Sequence, residues 1–112
     1  MTDSLRITDA TFEDAVERSP GFTVVDFWTP WGPPCLLLAP AIDRIARAYE
    51  GRVRVAKLNV DESRAAMERH GVRSIPTLLL FENGEPVASL VGAVPQARIE
   101  ALLEAHLAPR AA

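Results

Sequence analysis

The chain contains one cysteine (Cys35), one lysine (Lys57) and two histidines in 112 residues. One cysteine excludes an intramolecular disulfide, and with it a disulfide-stapled secreted scaffold. One cysteine and two distant histidines, His70 and His106, are too few for an ordinary structural zinc site within one chain. No apolar run could span a bilayer, and the N-terminus lacks the basic and apolar regions of a signal peptide. We therefore expect a cytoplasmic protein without a metal or other cofactor.

Net charge and chain length give further expectations about binding partners and the number of domains. The net charge of −3 gives no reason to expect nucleic acid or an anionic membrane as a partner. The length suits a single domain over residues 1–112, with an ordered core at about residues 5–107. Apolar residues make up 48% and charged residues 24%, which is ordinary for a globular domain. Composition leaves the oligomeric state open.

The order of local patterns predicts an α/β protein. Apolar and alternating segments predict strands at Leu5–Ile7, Phe22–Trp28, Val53–Val60, Thr77–Glu82 and Pro86–Val91. Amphipathic spacing predicts a first helix that is capped by Asp9 or Thr11 and ends before Pro20. It predicts further helices at Pro34–Glu50, Glu62–His70 and Gln96–Leu107. This order predicts a central mixed β-sheet with helices on both faces. The segment Ala108–Ala112 should fray.

The segment Trp31–Cys35, with the sequence WGPPC, follows a buried strand and opens a long helix. A Cys-x-x-Cys sequence at such a turn would form a redox-active dithiol. Here Gly32 stands at the first cysteine position. The surroundings therefore indicate an oxidoreductase site, whereas the motif lacks the thiol that would start the reaction.

From about Leu5 to Leu107, the chain resembles the thioredoxin family. The matching segments are Val25–Trp28, Trp31–Cys35, Ala39–Pro40, Lys57–Asp61, Val72–Thr77, Phe81–Gly84 and Val91–Gly92. The resemblance implies the thioredoxin fold and, as the family activity, thiol–disulfide exchange by a protein-disulfide reductase. The family motif is Trp-Cys-Gly-Pro-Cys, and this chain departs from it twice, at Gly32 and at Pro33.

The same resemblance assigns roles around the motif. In the family, the first cysteine attacks the substrate disulfide, and the second, matched by Cys35, resolves the mixed disulfide. Since Gly32 replaces the nucleophile, we predict no ordinary reductase activity. Asp26 and Lys57 match the pair that assists proton transfer at the second cysteine, or they persist as a structural ion pair. Burial should raise the pKa of Asp26.

Two states of Cys35 are consistent with the sequence. A helix N-terminus favours a reactive thiolate, whereas burial favours an inert thiol that packs as a small apolar group. The missing side chain at Gly32 would leave a small opening, through which Cys35 could still react.

The resemblance also implies a groove for an extended protein or peptide partner. A cis bond before Pro76 would leave the backbone of Ile75 free to pair with such a partner. The expected binding residues are Trp31, Gly32, Pro34, Ile75, Pro76, Val91 and Gly92, with Ala93 beside them. Exposed side chains at Leu36 and Leu37 would extend the apolar surface.

Three functions follow from these observations. The first is a thioredoxin homologue that has lost dithiol exchange and acts by binding through its groove. The second is a residual redox protein that uses Cys35 with glutathione or a partner thiol. The third is a conventional protein-disulfide reductase, which the absent cysteine disfavours on chemical grounds.

Overall fold

The computed structural model describes residues 4–109. Its five strands are β1 (Leu5–Ile7), β2 (Phe22–Trp28), β3 (Val53–Asn59), β4 (Thr77–Glu82) and β5 (Glu85–Val91). Its helices are α1 (Asp9–Phe12), continued by a π-helical turn over Glu13–Glu17, then α2 (Pro33–Ala48), α3 (Ala65–Arg69) and α4 (Gln96–Leu107). Most of the segment predicted to fray, Ala108–Ala112, lies outside the described residues.

The strands form one mixed sheet in the order β1-β3-β2-β4-β5. Strand β3 pairs in parallel with β1 and β2, whereas β4 pairs antiparallel with β2 and β5. The parallel pairs need crossover connections, which α1 and α2 supply, and β4 and β5 are joined by a tight turn at Asn83-Gly84. The predicted α/β fold, a mixed sheet with helices on both faces, is confirmed.

Alternation along the strands divides the core into two layers. On β2, Val24 faces a cluster with Leu38 and Ile42 of α2 and with Ile99 and Leu103 of α4. The neighbouring residues Val25 and Phe27 face a second cluster, with α1 and α3, that contains Ile7, Phe12, Val16, Leu58, Ala66 and Phe81. Successive strand side chains point to opposite faces, so β2 is buried on both sides.

The third helix is shorter than predicted. The sequence pattern indicates a helix over Glu62–His70, but α3 covers only Ala65–Arg69. The carboxylate of Asp9 explains where it begins, because it accepts hydrogen bonds of 2.9 Å from the N–H groups of Ala65 and Ala66. A cap supplied by a residue more than fifty positions away is a tertiary contact that local periodicity does not show.

The cap predicted for α1 is consequently wrong. Asp9 points to α3, and the N-cap of α1 is Thr8. The N–H of Thr8 donates to Oγ1 of Thr11 at 3.0 Å, and the N–H of Thr11 donates to the carbonyl of Thr8 at 3.1 Å. This reciprocal pair satisfies groups that the first helical turn leaves without partners.

Strand direction brings the predicted site residues to one end of the sheet. The parallel strands β2 and β3 both finish there, so Thr29 and Val60 leave the sheet side by side. Strand β4 runs the other way and begins there, with Thr77 opposite Phe27 on one side and Val91 of β5 on the other. The motif, Ile75-Pro76 and the end of β5 therefore meet at this edge.

Candidate functional site

The turn between β2 and α2 is built around Thr29. This side chain is buried, and its Oγ1 accepts a hydrogen bond of 3.1 Å from the N–H of Gly32. Its own N–H donates to Sγ of Cys35 at 3.4 Å. Thr29 therefore holds both ends of the WGPPC motif, one through its side chain and the other through its backbone.

Gly32 is buried, and the space beside its Cα is already occupied. A Cβ added there would lie 2.8 Å from Oγ1 of Thr29 and 3.4 Å from Sγ of Cys35. Real Cβ atoms essentially never approach a neighbour within 3.0 Å. The threonine hydroxyl therefore crowds the position from which the first cysteine's side chain would start.

The start of α2 carries few hydrogen-bond donors. Gly32 is the N-cap in extended conformation, and Pro33 and Pro34 occupy the first two helical positions. Proline suits these positions because their N–H groups have no intrahelical acceptor, but it removes the donors themselves. Of the first three helical residues, only Cys35 retains an N–H. Pro33 and Pro34 are exposed, so the tip of the motif is a rigid apolar corner.

Cys35 is a free thiol with only 3% of its surface exposed. Besides the bond from the Thr29 N–H, its Sγ lies 4.0 Å from the Thr29 hydroxyl oxygen. Burial and an acceptor role toward a backbone N–H both fix the sulfur within the turn. This geometry favours a structural thiol.

Asp26 is 2% exposed, on the α2-facing side of β2. Among the described residues its Oδ1 has no hydrogen-bond partner. Burial raises the pKa of Asp26 from 3.8 to about 7, and the positive charge of Lys57 lowers it in part. An unpartnered, desolvated carboxyl favours the protonated form.

Lys57 lies opposite Asp26 in the β2–β3 register but does not form a close ion pair with it. No contact within 4.0 Å joins their charged atoms in the part of the chain that the structure describes. Instead, Nζ of Lys57 sits 4.1 Å from the ring centroid of Trp28. In place of an ion pair with Asp26, Lys57 therefore forms a cation–π contact with Trp28.

A cavity of about 340 Å³ opens next to the motif. Trp31, Gly32, Pro34, Cys35 and Ile75 line it, together with Thr29, Pro33, Val60, Asp61, Arg64, Met67 and Arg73. We call this space the motif cavity. The ring of Trp31 is 70% exposed at its mouth, and its Nε1 donates to Oδ2 of Asp61 at 2.6 Å.

The remaining predicted groove residues lie near this cavity without lining it. The Ile75-Pro76 bond is cis, Pro76 is buried, and its carbonyl accepts a bond of 2.8 Å from the N–H of Gly92. Val91 is exposed and lines a second cavity of about 240 Å³ that shares Arg73 with the first. Ala93, next to Gly92, is exposed and lines neither cavity. Within residues 4–109, the backbone of Ile75 forms no hydrogen bond.

Leu36 and Leu37 add apolar surface to the first turn of α2. They are 53% and 76% exposed, whereas the next residue, Leu38, is buried in the core. They add exposed apolar surface to the helix start, where Pro33 and Pro34 are also exposed.

Comparison with known proteins fits this geometry. The Thioredoxin family model matches residues 3–105. The chain belongs to the thioredoxin family. Thioredoxin 1 of Nostoc sp. is 44% identical over 107 residues, which cover 96% of this chain and 100% of that protein. The thioredoxin of Haemophilus influenzae is 43% identical over the same shares, and that of Pseudomonas aeruginosa is 42% identical over 92% of this chain and 95% of its own.

Membership of the thioredoxin family establishes the fold of this chain but not its activity. A relationship above 40% over the whole domain establishes the scaffold, but activity depends on the site. With Cys35 as its sole cysteine, this thioredoxin homologue has no internal dithiol. Within residues 4–109, no helix is long and apolar enough to cross a membrane.

Several cavity residues were not predicted from the sequence, and four of them bear on its chemistry: Thr29, Asp61, Arg64 and Arg73. Thr29 had no distinguishing signal, because its role depends on where the turn folds back. Arg64 could not be separated from the ten other arginines without knowing which surface it occupies. The usable signals were Asp61 and Arg73, which lie in the family-like segments Lys57–Asp61 and Val72–Thr77.

Proposed function

We propose that this thioredoxin-family protein acts by binding an extended segment of a protein partner, and that it does not catalyse dithiol–disulfide exchange. The observation that supports this most directly is Gly32 at the first cysteine position, where the Thr29 hydroxyl would lie only 2.8 Å from a Cβ. Exchange begins with attack by an exposed thiolate, and nothing at position 32 can supply one. The cytoplasmic location is part of the proposal, since a lone free thiol suits a reducing compartment.

The motif cavity and the backbone of Ile75 support a binding role. Trp31 presents a large exposed ring, and Ile75 presents backbone groups with no partner among the described residues. An extended peptide could pair with that backbone while its side chains contact the tryptophan. Without a covalent step, such contacts give affinities of about micromolar or weaker.

The test is titration of short extended apolar peptides, followed by backbone amide shifts. We expect saturable shifts clustered at Trp31 and Ile75, and a loss of affinity of about tenfold in Trp31→Ala, because an aromatic anchor is often the main contributor. Val87→Ala is the control, since Val87 is exposed and apolar but lines neither cavity. Absence of saturable shifts, or equal loss in both variants, would remove the proposal.

A second function, one-cysteine redox chemistry at Cys35, is favoured by one observation. Cys35 is among the residues that line the motif cavity, so a small thiol reagent has a path toward it. Its exposed fraction of 3% counts against rapid reaction. The rate at which the folded protein reacts with a thiol reagent separates the two functions.

A further inference from the structure

The motif cavity carries two arginines whose charges are not used by the fold. Arg64 directly precedes α3, and Arg73 lies in the loop before Pro76. Both are exposed, and both line the cavity together with Trp31. They come from different parts of the chain and border the same cavity.

Neither arginine has an acidic partner among the described residues. The ion pairs in this part of the chain use other arginines, namely Arg6, Arg18, Arg52 and Arg69. No side-chain hydrogen bond occupies Arg64 or Arg73 there either, whereas Arg44 binds the Gln96 side chain. The guanidinium groups at the cavity are therefore available for a ligand.

One carboxylate, that of Asp61, also lines the cavity. It accepts the 2.6 Å hydrogen bond from Nε1 of Trp31 and so orients the ring at the mouth. The cavity thus has two free cations against one carboxylate that is already engaged. This local excess is opposite in sign to the net charge of −3 of the whole chain.

We propose that the segment bound beside Trp31 carries an acidic side chain, a glutamate or aspartate next to an apolar residue, which Arg64 and Arg73 hold. This inference rests on the binding function proposed above and names the chemistry of the partner. Val60, Met67 and Ile75 supply the apolar wall for the neighbouring side chain. The planar guanidinium is suited to carboxylates because it can donate two parallel N–H bonds.

The experiment compares two capped peptides of alternating valine and threonine, one with a central glutamate and the other with glutamine there. We expect the glutamate peptide to bind the wild-type protein about fivefold more tightly at low ionic strength. The preference should disappear near 1 M salt, where the screening length is only about 3 Å. Amide shifts report the site of binding, and the titration gives the affinity.

Single substitutions assign the preference to the two arginines. Arg64→Gln and Arg73→Gln should each reduce the preference for glutamate by about half or more, measured as the ratio of the two peptide affinities in the same variant. Arg47→Gln is the matched control, because the substitution removes the same charge at a site away from the binding surface. Arg47 is exposed at the end of α2 and lines neither cavity. Thermal unfolding of each variant checks that the fold is retained.

The outcomes separate this inference from the function on which it rests. Equal affinity for both peptides, with shifts at Trp31 and Ile75, would overturn the acidic preference and leave the binding function standing. A preference that persists in both cavity variants, or falls equally in Arg47→Gln, would overturn the assignment to Arg64 and Arg73. If neither peptide binds, the binding function fails and the inference fails with it.

Discussion

Thr29 and Gly32 are joined by a hydrogen bond of 3.1 Å, in which the glycine N–H donates to the threonine hydroxyl. The same hydroxyl would lie 2.8 Å from a Cβ at residue 32. The two residues are therefore coupled: the threonine fits because residue 32 has no side chain. The altered motif is a repacked turn, and the loss of the cysteine is only part of the change.

Restoring a cysteine should consequently require two substitutions. We expect Gly32→Cys alone to be destabilised by about 1–3 kcal/mol, the usual cost of overpacking a buried site. Thr29→Ala combined with Gly32→Cys should recover stability and form a disulfide with Cys35, because the hydroxyl that blocks the new Cβ is gone. Urea unfolding and mass measurement after alkylation test both statements.

Thr29→Ala in the natural background is the matched control for the rescue. It loses one hydrogen bond and should cost about 1 kcal/mol. If Gly32→Cys alone is as stable and as readily oxidised as the double variant, the threonine does not occupy the cysteine's place. Pro33 would still stiffen the restored motif, so its redox potential should differ from that of a glycine-containing one.

Disulfide reductase activity should be absent from the natural chain. Reduction of insulin in the presence of dithiothreitol should proceed at the rate of the reagent alone, because Gly32 offers no nucleophile. Cys35→Ser should give the same rate, and the thioredoxin of a relative serves as the positive control. A rate above the blank that disappears in Cys35→Ser would instead establish chemistry at the remaining thiol.

The scaffold could be predicted from the sequence because strands and helices follow from patterns among neighbouring residues. The apolar run of β2 and the apolar face of α2 are local properties, and their bounds differ from the structure by at most two residues. The shortened α3 was missed because its cap, Asp9, comes from a distant segment. Contacts of that kind exist only after the chain has folded.

The site was less predictable than the scaffold, because most of its contacts join residues that are distant in the sequence. The missing nucleophile at position 32 was predictable, because the motif consists of consecutive residues. The hydroxyl of Thr29, the bond from Trp31 to Asp61 and the placement of Arg64 depend on how separate segments meet. Lys57 is an example: the family resemblance suggests an ion pair with Asp26, whereas its side chain lies on the ring of Trp28.

The raised pKa of Asp26 makes stability depend on pH. Its folded-state pKa of about 7 exceeds the ordinary value of 3.8, so the folded protein binds more protons than the unfolded chain between these values. The free energy of unfolding should therefore fall as pH rises from about 4 through 7, by up to about 4 kcal/mol from this group alone. Below about pH 4, Asp26 is protonated in both the folded and the unfolded state, so its ionisation costs no stability.

Asp26→Ala tests that contribution. The variant should lose the extra fall in stability between pH 5 and pH 8 and become more stable than the wild type at the higher pH, measured by urea unfolding. The difference between the two profiles cancels the contributions of groups that both proteins share. Parallel profiles would show that Asp26 is not desolvated as the structure indicates.

Lys57→Met should displace the same transition. The lysine charge lowers the pKa of Asp26, so its removal should move the midpoint of the stability loss to higher pH. Lys57→Arg retains the charge and is the control for lost contact with the Trp28 ring. Asp26→Ala with Lys57→Met should exceed the wild type in stability at pH 7, because it removes a buried acid without leaving a charged partner unpaired.

Reactivity of Cys35 decides between the binding and one-cysteine functions. With 3% exposure, the thiol should react with a disulfide reagent much more slowly in the folded protein than in denaturant. Thr29→Ala keeps that N–H but removes the hydroxyl 4.0 Å from the sulfur, so it should speed labelling by opening the turn. Equal rates in folded and unfolded wild-type protein would mean that the turn opens freely. In that case, Cys35 becomes the group through which this thioredoxin homologue acts.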